Sequence, residues 1–162
     1  MEKVILDGRL DDAAWASAKT YTGFKKMLCQ GGTPVPVDTW FKILPCEDRI
    51  YIGIMCCESD MEAMLANTSA ANFWETNTLE LFLSPSGSTF DFYQFCVGPF
   101  DKAYSFFYSE SGNIQPDPYA PDWKSVVHKD KDFWSIEMEI PLTAFYMTGN
   151  DNMSDTWLIQ PC

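Results

Sequence analysis

Basic residues and histidine are scarce in this chain of 162 residues. It has 11 lysines and arginines against 23 aspartates and glutamates, and its one histidine is His128. The net charge of −12 repels polyanions, so nucleic acids and anionic membrane surfaces are not expected as partners, whereas a neutral ligand is unaffected by that field. A single histidine also argues against a Ser-His-Asp or Cys-His catalytic arrangement and against a metal triad.

Long apolar runs are missing as well. No run approaches the length that spans a bilayer, so membrane insertion is not expected. The start Met1-Glu2-Lys3 leads directly into Val4-Ile5-Leu6 without the pattern of a signal peptide. The chain is therefore either cytosolic or an extracellular domain excised from a larger multidomain protein, and the family resemblance described below favours the second interpretation.

Cysteine motifs are absent, although the chain has six cysteines. No CxxC pair occurs, and no histidine stands at zinc-binding spacing from any of them. A chain of this length buries enough apolar area to fold without disulfides. Buried apolar thiols are therefore expected rather than a redox or metal role. The six are Cys29, Cys46, Cys56, Cys57, Cys96 and Cys162.

The chain instead contains many short runs rich in β-branched and aromatic residues, separated by turn residues. This spacing predicts one all-β domain over residues 1–162, a sandwich or a barrel with only short helical turns. Helical signals are limited to a turn capped by Asp11, a Ser59/Glu62 capping box and a turn that starts at Pro141. The predicted strands are Val4–Asp7, Asp38–Leu44, Arg49–Cys57, Thr78–Leu83, Phe92–Val97, Ala103–Tyr108, Lys124–His128, Phe133–Ile140 and Thr156–Gln160, with a loop over Asn113–Pro121.

Two glutamates share one face of the strand that begins at Phe133. Alternation places Trp134, Ile136, Met138 and Ile140 in the core and Ser135, Glu137 and Glu139 on the opposite face. We interpret the second face as solvated or paired with lysine and arginine. A glycosidase-like pair of carboxylates is the alternative, although no motif supports it.

A candidate ligand site lies around the strand Thr78–Leu83. Leu79, Leu81 and Leu83 form one face, while Glu80 and Phe82 point to the other, and Trp74 stands in the loop before the strand. A tryptophan face stacks on the C–H surface of a sugar, and a carboxylate accepts hydrogen bonds from its hydroxyls. Closure of the core by Trp74 is the alternative that spacing leaves open.

Six stretches, taken together and in order, resemble family 9 carbohydrate-binding modules. The opening L-D-G-R-L-D-D-A-A-W of residues 6–15 is similar to the start of these modules, and the resemblance covers nearly the whole chain. The other stretches are Phe41–Leu44, Ile50–Gly53, Trp74–Leu83, Tyr93–Val97 and Trp134–Pro141.

The resemblance implies an antiparallel β-sandwich of two packed sheets, carried by an extracellular or cell-surface polysaccharide-degrading protein. It implies non-catalytic binding of mono-, oligo- or polysaccharide, in characterised members at a chain end between two tryptophans, with structural calcium in some members. Trp74 looks like the first platform and Glu80 like the hydroxyl-binding carboxylate, with Asn77, Gln94 and Phe82 as neighbouring ligand-binding residues. Five aspartates supply oxygen ligands in loops, without a recognised calcium loop. They are Asp7, Asp11, Asp12, Asp60 and Asp122.

Two departures from the family pattern concern the ligand site. Cys96 stands where the sugar-binding pattern has an arginine, and a thiol cannot replace the forked donors of a guanidinium. The family's segment with the second tryptophan is expected after Trp157–Cys162, where this chain stops. Trp40, Trp123 and Tyr146 are candidate substitute platforms, although each is expected to be a packing residue.

Two further interpretations remain beside sugar binding. One is a structural or protein-interaction sandwich that has lost the sugar site, which the two departures favour. The other is a haem-binding relative that uses His128 with a methionine. Because His128 follows Val126-Val127 at a strand end beside a charged turn, it is instead expected at the surface.

Overall fold

The strands of the structure, a computed structural model, form two antiparallel five-stranded sheets that pack on each other. The expected all-β sandwich is confirmed, and the helical segments in the described part of the chain are short. No described helix has the length and apolar character needed to cross a membrane. The described residues are 4–25, 35, 37–70, 72–109, 114–115, 119–148 and 153–162.

Each sheet combines pairs of consecutive strands with one pairing between strands that are distant in sequence. The first sheet runs β1 (Thr20–Tyr21), β2 (Thr39–Pro45), β3 (Arg49–Cys57), β9 (Phe133–Pro141) and β8 (Lys124–Lys129). The second runs β10 (Leu158–Pro161), β4 (Leu79–Ser84), β5 (Phe92–Val97), β6 (Ala103–Tyr108) and β7 (Ile114–Gln115). The helices are α1 (Ala13–Ala16) and α2 (Met61–Ala70), with 3-10 turns at Phe73–Glu75 and Leu142–Thr148.

The predicted opening strand Val4–Asp7 is wrong, because this segment is irregular. Its backbone N–H groups bind side chains instead of a neighbouring strand. Ile5 N donates to Asp12 Oδ2 at 2.7 Å, and Asp7 N donates to Glu137 Oε2 at 2.9 Å. The predicted loop over Asn113–Pro121 is wrong at β7 (Ile114–Gln115) and otherwise lies mostly outside the described residues.

The helix starts also differ from the sequence prediction. Helix α1 starts after Asp12, not Asp11. The Asp12 carboxylate accepts from Ile5 N and makes no capping bond to the helix. Helix α2 has 10 residues and is capped by Asp60, whose Oδ1 accepts from Ala63 N at 3.0 Å. Ser59 does not cap it, since its hydroxyl donates to Glu58 Oε1 at 3.3 Å.

The main core lies between the inner faces of the two sheets. As expected, four alternate side chains of β9 are buried there, and Leu79, Leu81 and Leu83 of β4 face them. Burying each such side chain contributes about 1.5–3 kcal/mol to folding. The β9 residues are Trp134, Ile136, Met138 and Ile140.

The N-terminal segment covers the outer face of the first sheet. Trp15 is 1% exposed and packs over Gly53 of β3, together with Leu10. A Cβ at Gly53 would lie 3.1 Å from Cη2 of Trp15 and would collide with Leu10, so only glycine admits both side chains there. Strand β3 is therefore apolar on both faces, as a central strand should be.

The expected solvated face of β9 is wrong for Ser135 and Glu137, which are both 0% exposed. Glu137 accepts three hydrogen bonds: from Asp7 N at 2.9 Å, from Gly8 N at 2.8 Å and from Trp15 Nε1 at 2.8 Å. The Ser135 hydroxyl donates to Gly8 O at 2.6 Å. These bonds fasten the opening motif of the chain to the sheet.

The expected pairing with basic residues is confirmed for Glu139. Its carboxylate lies 3.2 Å from Arg49 Nη1 and 3.6 Å from Lys124 Nζ, and it accepts a hydrogen bond from Tyr51 at 2.8 Å. The two glutamates of β9 therefore have separate structural roles and do not form a pair that faces a ligand.

Candidate functional site

The outer face of the second sheet presents polar and aromatic side chains in cross-strand rows. Glu80 of β4 pairs with Cys96 of β5, which pairs with Tyr104 of β6. The next row is made of Phe82, Gln94 and Phe106. Because side chains at alternate positions share a face, both rows point away from the core that contains Leu79 and Leu81.

Trp74 is exposed at one side of this face. It is 53% exposed, and the other five of the six tryptophans are buried or half-buried. Its 3-10 turn is held in place by Phe73, because a Cβ at Gly98 in the β5–β6 turn would lie 3.0 Å from Phe73 Cε2. The alternative that Trp74 closes the core is therefore wrong.

Trp74 and Tyr104 form a continuous aromatic platform. Their ring centroids are 5.7 Å apart at 39°, and Tyr104 is 43% exposed. Phe106 lies beneath, 5.7 Å from Trp74 and stacked with Tyr104 at 6.5 Å. Offset and tilted ring pairs of this kind are the favourable arrangements for aromatic side chains.

A chain of hydrogen bonds crosses three strands beside the platform. The Tyr108 hydroxyl donates to Gln94 Oε1 at 2.7 Å, and Gln94 Nε2 donates to Glu80 Oε2 at 2.6 Å. Gln94 is 5% exposed, while Glu80 and Tyr108 are half-buried. The structure thus joins two of the residues that the sequence nominated, Glu80 and Gln94.

The other two nominated residues lie apart from that contact. Phe82 is half-buried and packs edge-on against Phe92 at 5.8 Å. Asn77 is exposed and lines a separate groove of about 820 Å³, together with residues of β2 and β10 such as Phe41 and Ile159. The ligand-binding roles of all five nominated residues stay predictions.

Tyr104, Phe106 and Tyr108 were missed as site residues. The strand Ala103–Tyr108 was predicted correctly, and its alternation already places these three side chains on one face. Only the pairing register with β5 shows that this face is the one that carries Gln94.

The candidate substitute platforms have other surroundings. Trp123 packs edge-on against the core residue Phe95 at 5.0 Å, and Trp40 is half-buried beneath Lys42. Tyr146 is 43% exposed, and its hydroxyl accepts a hydrogen bond from Ala120 N at 3.0 Å. The ring contacts of Trp123 and Tyr146 among the described residues are with Phe95 and Tyr119, not with Trp74 or Tyr104.

Cys96 is fully buried at 0% exposure, so its thiol is not presented to a ligand in this structure. Burial, with a contribution from the Glu80 charge, raises the pKa of Cys96 to about 12. Cys56, Cys57, Cys96 and Cys162 are free thiols, and Cys29 lies outside the described residues. The expectation of buried thiols holds for Cys96 alone among the described cysteines, since Cys46, Cys56 and Cys57 are half-buried and Cys162 is exposed.

The rate of alkylation should distinguish the thiols of Cys96 and Cys162. Since the thiolate is the reactive form, we expect maleimide at pH 7 to modify Cys162 before Cys96, and Cys96 only after unfolding. Peptide mapping by mass spectrometry measures the order. Early modification of Cys96 in the folded protein would contradict the burial of this side chain.

The described residues contain no group of three or more His, Cys, Asp or Glu side chains placed to hold a metal ion. Three of the aspartates nominated for calcium bind backbone N–H groups instead. Asp7 accepts from Arg9 N at 2.9 Å, and Asp12 and Asp60 bind Ile5 N and Ala63 N. Calcium binding stays a prediction from the resemblance.

His128 is half-buried, so its expected surface position is wrong. Its Nε2 lies 4.0 Å from Asp130 Oδ2, and its backbone and Cβ pack against Gly8. The contact with Gly8 joins β8, to which His128 belongs, to the N-terminal segment.

Solved structures of similar fold include sugar complexes. Two structures of a carbohydrate binding module family 9 (CBM9) from Caldicellulosiruptor kristjanssonii, one with glucose and one with cellotriose, each give a TM-score of 0.62. Identity is 12% and 11%, over 86% of this chain in both cases. This chain spans 65% and 64% of the length of those structures. No curated protein matches this chain.

At such identities the structural likeness establishes the fold alone. The sequence itself gives the family, because residues 5–156 match the model described as carbohydrate family 9 binding domain-like. The chain belongs to this family.

Proposed function

We propose that this domain binds carbohydrate without catalysis, at the outer face of the second sheet. Trp74, with Tyr104 beside it, is the stacking platform, and Glu80 accepts hydrogen bonds from sugar hydroxyls. Asn77, Gln94 and Phe82 are the other residues proposed to line or support the site. The observation that carries the proposal is that the one exposed tryptophan among the described residues lies on the same sheet face as the Glu80 carboxylate.

The chemistry of this face suits a neutral polyol. The aromatic rings offer flat apolar area to the C–H face of a sugar, while a carboxylate held at its edge accepts hydrogen bonds. A net charge of −12 disfavours anionic ligands such as nucleic acids. The glucose and cellotriose in the two similar structures support mono-, oligo- or polysaccharide as the ligand class.

The proposed setting is an accessory role. We propose that the domain belongs to a larger, extracellular or cell-surface protein, where it holds a polysaccharide near a partner domain. The family assignment supports this setting. A stacking contact with a few hydrogen bonds corresponds to a micromolar to millimolar Kd, about −8 to −4 kcal/mol, which suits reversible attachment.

Trp74→Ala is expected to abolish saccharide binding while leaving the fold intact. The exposed ring contributes little to the core, so the Tm should shift by less than about 4 °C, which corresponds to less than about 1 kcal/mol. Isothermal titration calorimetry with millimolar glucose and cellotriose, paired with thermal unfolding, measures both effects.

Phe90→Ala is the matched control, since Phe90 is an exposed ring (64%) outside the Trp74–Tyr104 platform. It should bind as the unmodified protein does. A large loss of stability in Trp74→Ala would show that Trp74 is a packing residue. Equal loss of binding in both variants would contradict the position of the platform.

A structural or protein-interaction domain is the second candidate function. The observation that favours it is the complete burial of Cys96 at the position where the family's sugar-binding pattern has arginine. A correctly folded protein that gives no heat with a panel of millimolar saccharides would support this candidate over sugar binding.

A further inference from the structure

We infer that Tyr108 and Gln94 are positioning residues for Glu80. They engage one oxygen of its carboxylate and leave the other to accept a hydrogen bond from a ligand. The site therefore selects ligands that donate a hydroxyl hydrogen at this point. The inference rests on the proposed function. It concerns how the carboxylate is aimed, and it adds a residue, Tyr108, that the sequence did not nominate.

The three side chains form a directed chain across β6, β5 and β4. Tyr108 donates to Gln94 Oε1 at 2.7 Å, and Gln94 Nε2 donates to Glu80 Oε2 at 2.6 Å. Both distances are those of direct hydrogen bonds. Because Gln94 is 5% exposed, little water competes for its amide.

Only one orientation of the Gln94 amide satisfies both neighbours. A carboxylate accepts and cannot donate, so the NH₂ group must face Glu80 and the carbonyl must face Tyr108. The Tyr108 hydroxyl must then be the donor. Burial, with the nearby Cys96 and Glu80, raises the pKa of Tyr108, which keeps that hydroxyl protonated at neutral pH.

Only one oxygen of Glu80 accepts a side-chain hydrogen bond among the described residues. Gln94 takes Oε2, and no other side chain among the described residues hydrogen-bonds to the Glu80 carboxylate. The titratable groups around it are Cys96 of β5, Tyr108 of β6 and the terminal Cys162, and no described cation is paired with it. The second carboxylate oxygen therefore attracts a hydroxyl donor and repels an anionic group.

Tyr108→Phe tests this chain of hydrogen bonds, because it removes only the tyrosine hydroxyl oxygen. Without the hydroxyl donor, the Gln94 amide is no longer held with its NH₂ toward Glu80. We expect the Kd for glucose and cellotriose at pH 7 to rise about 3- to 10-fold, as the loss of one hydrogen bond's net contribution gives. Calorimetry on the whole chain measures this change.

Tyr51→Phe is the matched control, because it removes the same atom from a tyrosine that donates to a glutamate, Glu139, on the other sheet. Its Kd should stay within about twofold of the unmodified protein. Equal effects of the two variants would overturn the positioning role of Tyr108.

Gln94→Glu tests the positioning role through the pH dependence of binding, which a purely structural role of Gln94 would not change. Two carboxyl groups at hydrogen-bond distance share one proton, and the protonated one can donate as the amide did. Binding should therefore be retained near pH 5 and weaken as the shared proton is lost toward about pH 8, whereas the unmodified protein changes little. A loss of affinity that is equal at all pH values would overturn the inference.

The outcomes also separate this inference from the proposed function. If the unmodified protein binds, Trp74→Ala abolishes binding and Tyr108→Phe binds normally, the proposed function holds and the positioning role fails. If the unmodified protein gives no heat with either saccharide, both fail. Thermal unfolding of each variant checks the fold, and Tyr108→Phe carries the test if Gln94→Glu does not fold.

Discussion

Glu137→Ala is expected to lower the free energy of unfolding by about 3–5 kcal/mol, because it removes a buried charged acceptor and leaves its donors without a hydrogen-bond partner. Three donors lose their partner together: Asp7 N, Gly8 N and Trp15 Nε1. The bonds of Gly8 N and Trp15 Nε1 are buried, so these two donors cannot reach water easily while Trp15 stays packed on Gly53. Urea unfolding, followed by circular dichroism, measures the change.

Glu139→Ala is the control for this prediction. It removes the same side chain two positions along the same strand, where the carboxylate is partly exposed and pairs with Arg49 and Lys124. Partly exposed ion pairs contribute about 0–1 kcal/mol, so a much smaller loss is expected. If the two variants are equally destabilised, Glu137 does not hold the N-terminal segment.

Gly8→Ala is expected to cost about 2–4 kcal/mol, since two penalties coincide. Gly8 has a φ of +84°, a left-handed conformation that other residues adopt only with strain. A Cβ there would lie 2.6 Å from His128 N and 2.9 Å from Val127 C. Both atoms belong to the backbone of β8, which cannot move aside as a flexible side chain can.

Gly23→Ala separates the two penalties. Gly23 has a similar φ of +89°, but no described atom lies within 4 Å of the place that an alanine methyl carbon would occupy. Only the conformational penalty of about 1–2 kcal/mol applies there. The difference between the two variants in urea unfolding measures the steric contact, and a difference near zero would contradict the close approach of Gly8 to β8.

Strand positions were predictable because alternation and turn residues are local signals. Arg49–Cys57, Phe92–Val97 and Ala103–Tyr108 match the structure end for end. The opening segment failed for a non-local reason. Its backbone partners are side chains of Asp12 and Glu137, and the second of these is 130 residues away in sequence from Asp7.

The environment of each face was harder to predict than the strand itself. Alternation correctly placed Glu137 and Glu139 on one face, but it could not show that the N-terminal segment covers half of that face. For the candidate site, Trp74 and Glu80 came from spacing and family resemblance. Tyr104 and Tyr108 need the β5–β6 register, which no local pattern contains.

The distribution of the six tryptophans gives this protein an internal optical reporter. Trp74 is half in water, whereas Trp15 and Trp134 are 1% and 5% exposed and the other three are half-buried. A neutral quencher such as acrylamide should therefore reach Trp74 first, while iodide is repelled by the acidic chain. A ligand that covers the indole would protect its emission from quenching, and the enclosed tryptophans would continue to report on folding in the same sample.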